Sequence, residues 1–297
     1  MIRGFDCGDY ASFVNGALRL VMEHPCDIAW VSKARFPSLF IGLLYKRVHG
    51  ARLILDIDDD ELAFVDAAEP HGIADFIQSA EALDWDAPYG RRWTQLAVGL
   101  VAEADHVTTC NPVLQARYGG SLVRHARDEG LFADAASARE DIRRQFAIAP
   151  EDKVVLFLGT PRRHKGLLEI AGALEAIADP RLVLCVIGTF TEVDLERQLR
   201  ARPGLRLVLL PDQPLDKVAA FNAMADIVCL LQDPESRIAA SQTPAKLTDA
   251  LASGTQVIAT AVPPIEDLVL ARPYHHRAGR QGHPGPCRRD QPSLCRG

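Results

Sequence analysis

Short, unalternated apolar runs recur along the chain, separated by stretches whose apolar residues repeat every three to four positions. The runs are DIAWVS (27–32), RLILDI (52–57), HVTTC (106–110), VVLFLG (154–159), RLVLCVIG (181–188), RLVLLP (206–211), DIVCLL (226–231) and QVIATA (256–261). Their length and their β-branched or Leu-rich content predict strands, and the lack of alternation predicts burial on both faces. Helical period dominates between them, as in HKGLLEIAGALEAIA (164–178) and PLDKVAAFNAM (214–224). Strands alternating with helices imply parallel sheets joined by right-handed crossovers, hence an α/β chain of Rossmann-like, doubly wound units. The run FPSLFIGLLYKR (36–47) is too short to span a bilayer. It reads as a helix packed on a sheet, with contact at a membrane surface as the other reading.

The polar segment 133–153 separates the first strand series from the second. The expected organisation is a partial N-terminal Rossmann-like domain over 1–133, a linker over 134–152, a C-terminal domain over 153–270 and a tail over 271–297. The tail holds six Arg, four Pro, four Gly, three His and one acidic residue, with no periodicity. Such a segment buries too little apolar surface to order itself. It reads as a disordered or frame-shifted terminus, or as a basic arm for an anionic partner.

Length and charge narrow the classes. A chain of 297 residues suits two domains. A net charge of −6 argues against nucleic acid as partner, because neutralising phosphate needs a basic face. The tail carries +5, which leaves −11 for residues 1–270. The seven cysteines, at 7, 26, 110, 185, 229, 287 and 295, have neither CxxC nor metal-ligand spacing. They read as reduced thiols. A cytoplasmic location is expected, with peripheral association at the inner face of the membrane left open.

Candidate chemistry concentrates in the second half. VVLFLGTPRRHKGLLEI (154–170) is a strand, a cationic turn and a helix. That order sets backbone N–H groups and the positive helix end at the sheet's carboxyl edge. Arg162, Arg163, His164 and Lys165 gather there, a set suited to a diphosphate, with a solvated basic loop as the alternative. In SQTPAKLTDALASGTQVIAT (241–260), Pro244 marks a helix start and Gly254 its stop. Asp249 falls within the first two turns, where a carboxylate can accept both hydroxyls of a ribose or simply satisfy the helix dipole.

Three segments together resemble the retaining, nucleotide-sugar-dependent glycosyltransferases of family 4 (group 1), which have the two-domain GT-B fold. LVRHARDEGLF (122–132) is similar to the family's vIpNGvDxxxF, VVLFLGTPRRHKG to vvlfvGrlxxxKG, and TPAKLTDALASGTQVIAT to mPxKlxEymAxGkPVIas. The resemblance runs from about Asp27 to Leu270, and both ends look shortened against the family. It implies two Rossmann-like domains facing a central cleft, with the acceptor on the first and the donor on the second. It further implies that Lys165, with Arg162 or Arg163, holds the donor diphosphate. Asp249 stands at the place of the ribose-binding Glu, with Lys246 beside it on the donor side. Thr160 replaces the family's Arg after the strand glycine. Ser241 replaces the Glu that contacts the transferred sugar. Gly159 and Gly188 would let backbone approach the nucleotide.

The acidic run LILDIDDDELAF (53–64) allows three readings. A haloacid-dehalogenase-like phosphatase would use Asp56 and Asp58, but Asp59 and Asp60 occupy the Gly-Thr places of that motif. A metal-binding D-x-D is the second reading, weakened because the diphosphate signature lies on Lys165. The third places Asp56 and Asp58 at a strand end facing the crevice, lining the acceptor or sugar pocket. A solvated acidic strand end is the alternative to all three. His125, Arg127 and Asp128 follow a strand toward the junction; His125 is placed on the acceptor side, with structural roles for the three (hinge packing, a salt bridge) as the alternative.

The expected function is transfer of a hexose from a nucleoside-diphosphate sugar to an acceptor hydroxyl with retention, the acceptor being a glycan, lipid or small molecule. Lys165, Arg162 and Asp58 are the expected catalytic residues, with no protein nucleophile, cofactor or metal. The alternatives are a nucleotide-binding remnant or partner-dependent subunit with little turnover, and a nucleotide-sugar epimerase.

Overall fold

The computed structural model describes residues 2–5, 7–78 and 88–270; the segment 271–297 lies outside the described residues. Four strands, β1 (Ile28–Ser32), β2 (Arg52–Ile57), β3 (His106–Thr109) and β4 (Ser121–Leu122), form a parallel sheet in that order. Around it run α1 (Tyr10–Glu23), α2 (Phe36–His49), α3 (Glu61–Phe64), α4 (Ile73–Gln78), α5 (Arg91–Gly99) and α6 (Pro112–Tyr118). Asp9 and Ser12 bond reciprocally to each other's backbone N–H and start α1 as a capping box.

One core forms on one face of this sheet, where Phe13, Leu39, Leu53, Leu55, Leu62 and Trp93 pack together. The Trp93 ring centroid lies 4.4 Å from that of Phe36 and 5.4 Å from that of Phe76. The 36–47 run is a helix laid on β1 and β2, with Phe36, Leu39 and Gly42 buried. The opposite face is open at the edge strand β1, where Ile28 and Trp30 are 57% and 62% exposed. Burial on both faces, expected for every strand, therefore fails at β1, whose residues alternate between exposed and buried.

The second sheet contains β5 (Lys153–Leu158), β6 (Leu182–Ile187), β7 (Arg206–Leu210), β8 (Ile227–Leu230) and β9 (Gln256–Ala259), all parallel, in the order β7-β6-β5-β8-β9. The helices of this half are α7 (Glu129–Ala135), α8 (Arg139–Gln145), α9 (Leu167–Ile177), α10 (Val193–Arg200), α11 (Val218–Met224), α12 (Ala245–Ala252) and α13 (Pro263–Leu270). Two cores cover its two faces: Leu156, Cys185, Met224 and Leu247 on one, Val155, Phe157, Leu167 and Val186 on the other. Strand order reverses between β5 and β8, and such a switch point opens a crevice at the carboxyl ends of the two strands. All eight expected strands form, and the two-residue β4 joins them. Among the described residues no helix is long and apolar enough to cross a membrane.

The stretch between the sheets is folded, since α7 and α8 both pack on α11. Its anchor is Asp226, which precedes β8. One carboxylate oxygen accepts from Arg139 Nη2 at 2.7 Å, and the other from Arg143 Nη2 at 2.6 Å and the Val154 amide at 2.7 Å. Arg143, 4% exposed, also donates to the carbonyls of Met224 and Asp152. Burial opposes ionisation of Asp226, but the Val154 amide and the two guanidiniums outweigh it and hold its pKa below the usual carboxylate value. Its contribution to stability is therefore present above the ordinary carboxylate range and lost as pH falls through the lowered value. Asp226→Ala should cost about 3 kcal/mol, because it leaves the buried Arg143 unpaired. Urea unfolding at neutral pH checks this, and the gap from wild type should narrow in acid.

Candidate functional site

The carboxyl ends of both sheets open on one cleft of about 710 Å³. The switch point supplies its floor, with Leu158 and Gly159 at the end of β5 and Leu231 and Gln232 after β8. Lys165 comes from the turn before α9, and Lys246 and Asp249 from the start of α12. Lys246 Nζ stands 3.7 Å from the centre of the Phe157 ring. Burial, and then the nearby Lys165, lower its pKa to about 7. Lys165 Nζ donates to the Thr160 carbonyl at 3.0 Å, and burial followed by Arg162 lowers its pKa also. His164 is lowered by burial and then by Lys165 and Arg162.

Gly159 and Gly188 have φ of 118° and 147°. A Cβ on Gly188 would stand 2.3 Å from the Gly159 carbonyl oxygen, so this glycine lets two strand-end loops touch. Gly188 does not line the cleft. Arg162 and Arg163 are exposed at its margin. The Arg163 backbone amide donates to Glu192 Oε1 at 3.3 Å, and its side chain pairs with Asp194 at 3.4 Å, turned toward α10. Among the described residues Arg162 has no carboxylate partner.

The opposite wall is the acidic run, and it is neutralised from within the protein. Lys33, just after β1, pairs with Asp58 at 2.9 Å and also with Asp59. Burial disfavours the Lys33 ammonium, yet these two carboxylates outweigh it and raise its pKa. Arg35 holds Glu61 at 2.8 Å. Asp60, 5% exposed, accepts from Arg117 at 2.6 Å and Tyr118 at 3.2 Å. Asp56 accepts from Thr108 on the neighbouring strand and does not line the cleft. Among the described residues no group of three His, Cys, Asp or Glu is arranged to hold a metal ion.

Asp249 is 7% exposed, and one of its oxygens bonds to Arg127 Nε. Arg127 also donates to the Ala245 carbonyl at 3.1 Å, so the segment after β4 is fastened to the start of α12. His125 lines the cleft with Nδ1 buried, and Gln232 Oε1 is buried there too; among the described residues neither atom has a partner. The cleft thus gathers Asp58, His125, Gly159, Lys165, Lys246 and Asp249, while Asp56, Arg162, Arg163 and Gly188 lie outside its lining.

A polar seam joins the two halves beneath the cleft. Asn111, 1% exposed, caps α6 by accepting from the Leu114 amide at 3.0 Å. Its Nδ2 donates to the Ser241 carbonyl at 2.8 Å and to Thr243 Oγ1 at 3.0 Å. Gln242 donates to Asp59 at 2.8 Å, and Arg237 to the Ala67 carbonyl at 2.9 Å. Ser241, expected at the place of a sugar-contacting Glu, is buried in this seam. Sequence reasoning missed Lys33, Asn111 and Gln242. Asn111 carried a readable signal, an Asn immediately before Pro at a helix start.

Two Rossmann-like sheets facing one cleft define a GT-B architecture. Residues 138–272 match the family described as Glycosyl transferases group 1, and the chain resembles that group. No curated protein matches it in sequence. The fold is shared with HepE of Anabaena in complex with UDP-glucose, at 17% identity and a TM-score of 0.59, over 87% of this chain and 65% of that one. It is shared also with an α,α-trehalose 6-phosphate synthase of Burkholderia multivorans, at 12% identity and 0.56, over 89% and 64%. A glycosyltransferase of Rickettsia africae aligns at 11% identity and 0.55, over 91% and 67%. The chain therefore spans about two thirds of the length of these structures.

Asn111→Asp should separate the two jobs of this side chain. The carboxylate can still cap α6, but it faces the Ser241 carbonyl with no proton to give, at a cost of about 1–3 kcal/mol. The variant should retain its helix content by circular dichroism while small-angle scattering records a larger radius of gyration.

Proposed function

We propose that the protein is a nucleotide-sugar-dependent glycosyltransferase that moves a hexose from a nucleoside diphosphate to an acceptor hydroxyl with retention at the anomeric carbon. The observation that carries this reading is the cleft floor. Two lysines without carboxylate partners among the described residues, Lys165 and Lys246, stand at the switch point of a parallel sheet, inside the segment that matches the group 1 family. A cationic, water-poor floor stabilises charge gathering on a departing diphosphate, commonly the largest electrostatic contribution to such a transfer.

In this proposal Lys165 and Arg162 bind the diphosphate and stabilise it as the leaving group. Arg163 supports the turn from its pairing with Asp194. Asp249 offers the ribose the oxygen that Arg127 does not occupy. Gly159 gives the diphosphate access to backbone, and Gly188 makes that turn possible. Asp58 and His125 face the acceptor from the other wall, with Asp56 bracing the strand end through Thr108. Protein cations serve the leaving group, so no metal is assigned. The partnerless His125 Nδ1 and Gln232 Oε1 are free to bond a ligand.

A nucleotide-binding protein with little turnover is the second reading. It is favoured by Ser241, which lies inside the seam where the family has a sugar-contacting Glu.

Calorimetry of UDP and GDP without added metal tests both readings. HepE was solved with UDP-glucose and with UDP and glucose, which makes UDP the first probe. Lys165→Ala should weaken binding at least about tenfold, roughly 1.4 kcal/mol. Arg162→Ala should cost more than Arg163→Ala. Binding without sugar transfer to any acceptor favours the second reading, and donor turnover with no acceptor marks an epimerase. A folded wild type that binds neither nucleotide overturns the assignment for these donors.

A further inference from the structure

Lys246, half-buried in the cleft, stands apart from the buried charges of the molecule. Arg143, Glu61, Asp60 and Asp249 each have an opposite charge within bonding distance. Among the described residues Lys246 has no carboxylate partner, and the Phe157 ring lies beneath it. The acid one turn along its own helix, Asp249, is occupied by Arg127. From the turn before α9 it faces Lys165 and His164, both of the same sign when charged. Across the cleft Asp58 and Asp59 are held by Lys33, beside His125. At its rim Asp128 caps α7, and Asp233 follows β8, bonded to the Glu235 amide. The aromatic face favours an ammonium, but burial and the second lysine oppose it.

A half-buried amine beside a second lysine, with no carboxylate partner among the described residues, is charged at a cost that an incoming anion lowers. A Cβ on Gly159 would lie 3.6 Å from Lys246 Cε, so this side chain runs alongside the loop that offers backbone to the ligand. Lys165 stands close enough to repel it. A diphosphate at the switch point would meet both amines.

We propose that Lys246 is a second diphosphate-binding cation that its ligand switches on: the diphosphate enters beside Gly159 between Lys165 and Lys246, and the Lys246 amine takes a proton from solvent as the complex forms. The Nζ lone pair binds the proton, no covalent bond to the ligand is made, and the proton returns to solvent when the diphosphate leaves. The inference rests on the donor reading above, because it takes a nucleoside diphosphate as the ligand. With the free amine titrating near 7, the site is already charged in mild acid and takes up no proton there. Above that pH, uptake approaches one proton, and affinity falls about tenfold per pH unit until the pKa of the bound state is reached.

The test is calorimetry of the full chain with UDP-glucose, whose diphosphate carries no group titrating near neutrality, in two buffers of different ionisation enthalpy. Near pH 8 the wild type should take up about nine-tenths of a proton, and near pH 6 close to none. Lys246→Arg, charged at every pH, should bind with that uptake abolished. Lys246→Met should bind at least about tenfold more weakly near pH 6 and lose the steep pH dependence. His164→Gln should leave the uptake in place. Circular dichroism establishes that each variant is folded. Binding of UDP-glucose without proton uptake, or uptake that persists in Lys246→Arg, overturns the inference and leaves the donor reading standing. No binding near pH 6 to folded wild type overturns both for this donor.

Discussion

Two parallel sheets that present their strand ends to the same space must bring irregular loops together, and every buried amide and carbonyl in those loops needs a partner. Asn111 meets that constraint with a single side chain. Its oxygen closes the first turn of α6, and its amide nitrogen satisfies the Ser241 carbonyl of the other half. Gln242 and Thr243, the next residues, complete the joint with Asp59 and with Asn111 itself. The seam therefore passes directly from the segment after β3 to the segment leading into α12. The orientation of the cleft walls follows from it.

The cleft divides its charges unequally. Four consecutive acidic residues line or support the first wall, and Lys33, Arg35 and Arg117 neutralise them inside the fold. Among the described residues, the lysines of the floor have no carboxylate partners. Coulombic attraction to a ligand survives only where the protein has not already satisfied it, so in the proposed function an anion is drawn to the floor despite the acidic run nearby. Arg127 belongs to this economy as well. By pairing with Asp249 it leaves one carboxylate oxygen free and fastens the connecting segment to α12.

Much of the fold was legible because it depends on local patterns. Apolar runs of five to eight residues predicted all eight expected strands, and the charged turn after β5 marked the carboxyl edge of the second sheet. Lys165 and Asp249 were readable from the residues around them. The acidic run was less so: Asp58 faces the cleft as expected, but Asp56 points to Thr108, fifty-two residues away. Lys33, Asn111 and Gln242 each also reach a distant partner, Asp59, Ser241 and Asp59 respectively, and no periodicity encodes such pairings. The open face of β1 escaped for the same reason.

The tryptophans are unevenly placed. The chain has three, at positions 30, 85 and 93, all in the first half. Trp93 sits in the aromatic core against Phe36 and Phe76, and Trp30 looks out from the sheet edge. Intrinsic indole emission is thus a reporter for one half of the molecule only. Melting of the second sheet alone would alter the far-ultraviolet dichroism while leaving the Trp93 environment in place. Comparing the two optical signals would therefore reveal whether the seam at Asn111 makes the halves unfold as one body or lets them come apart in sequence.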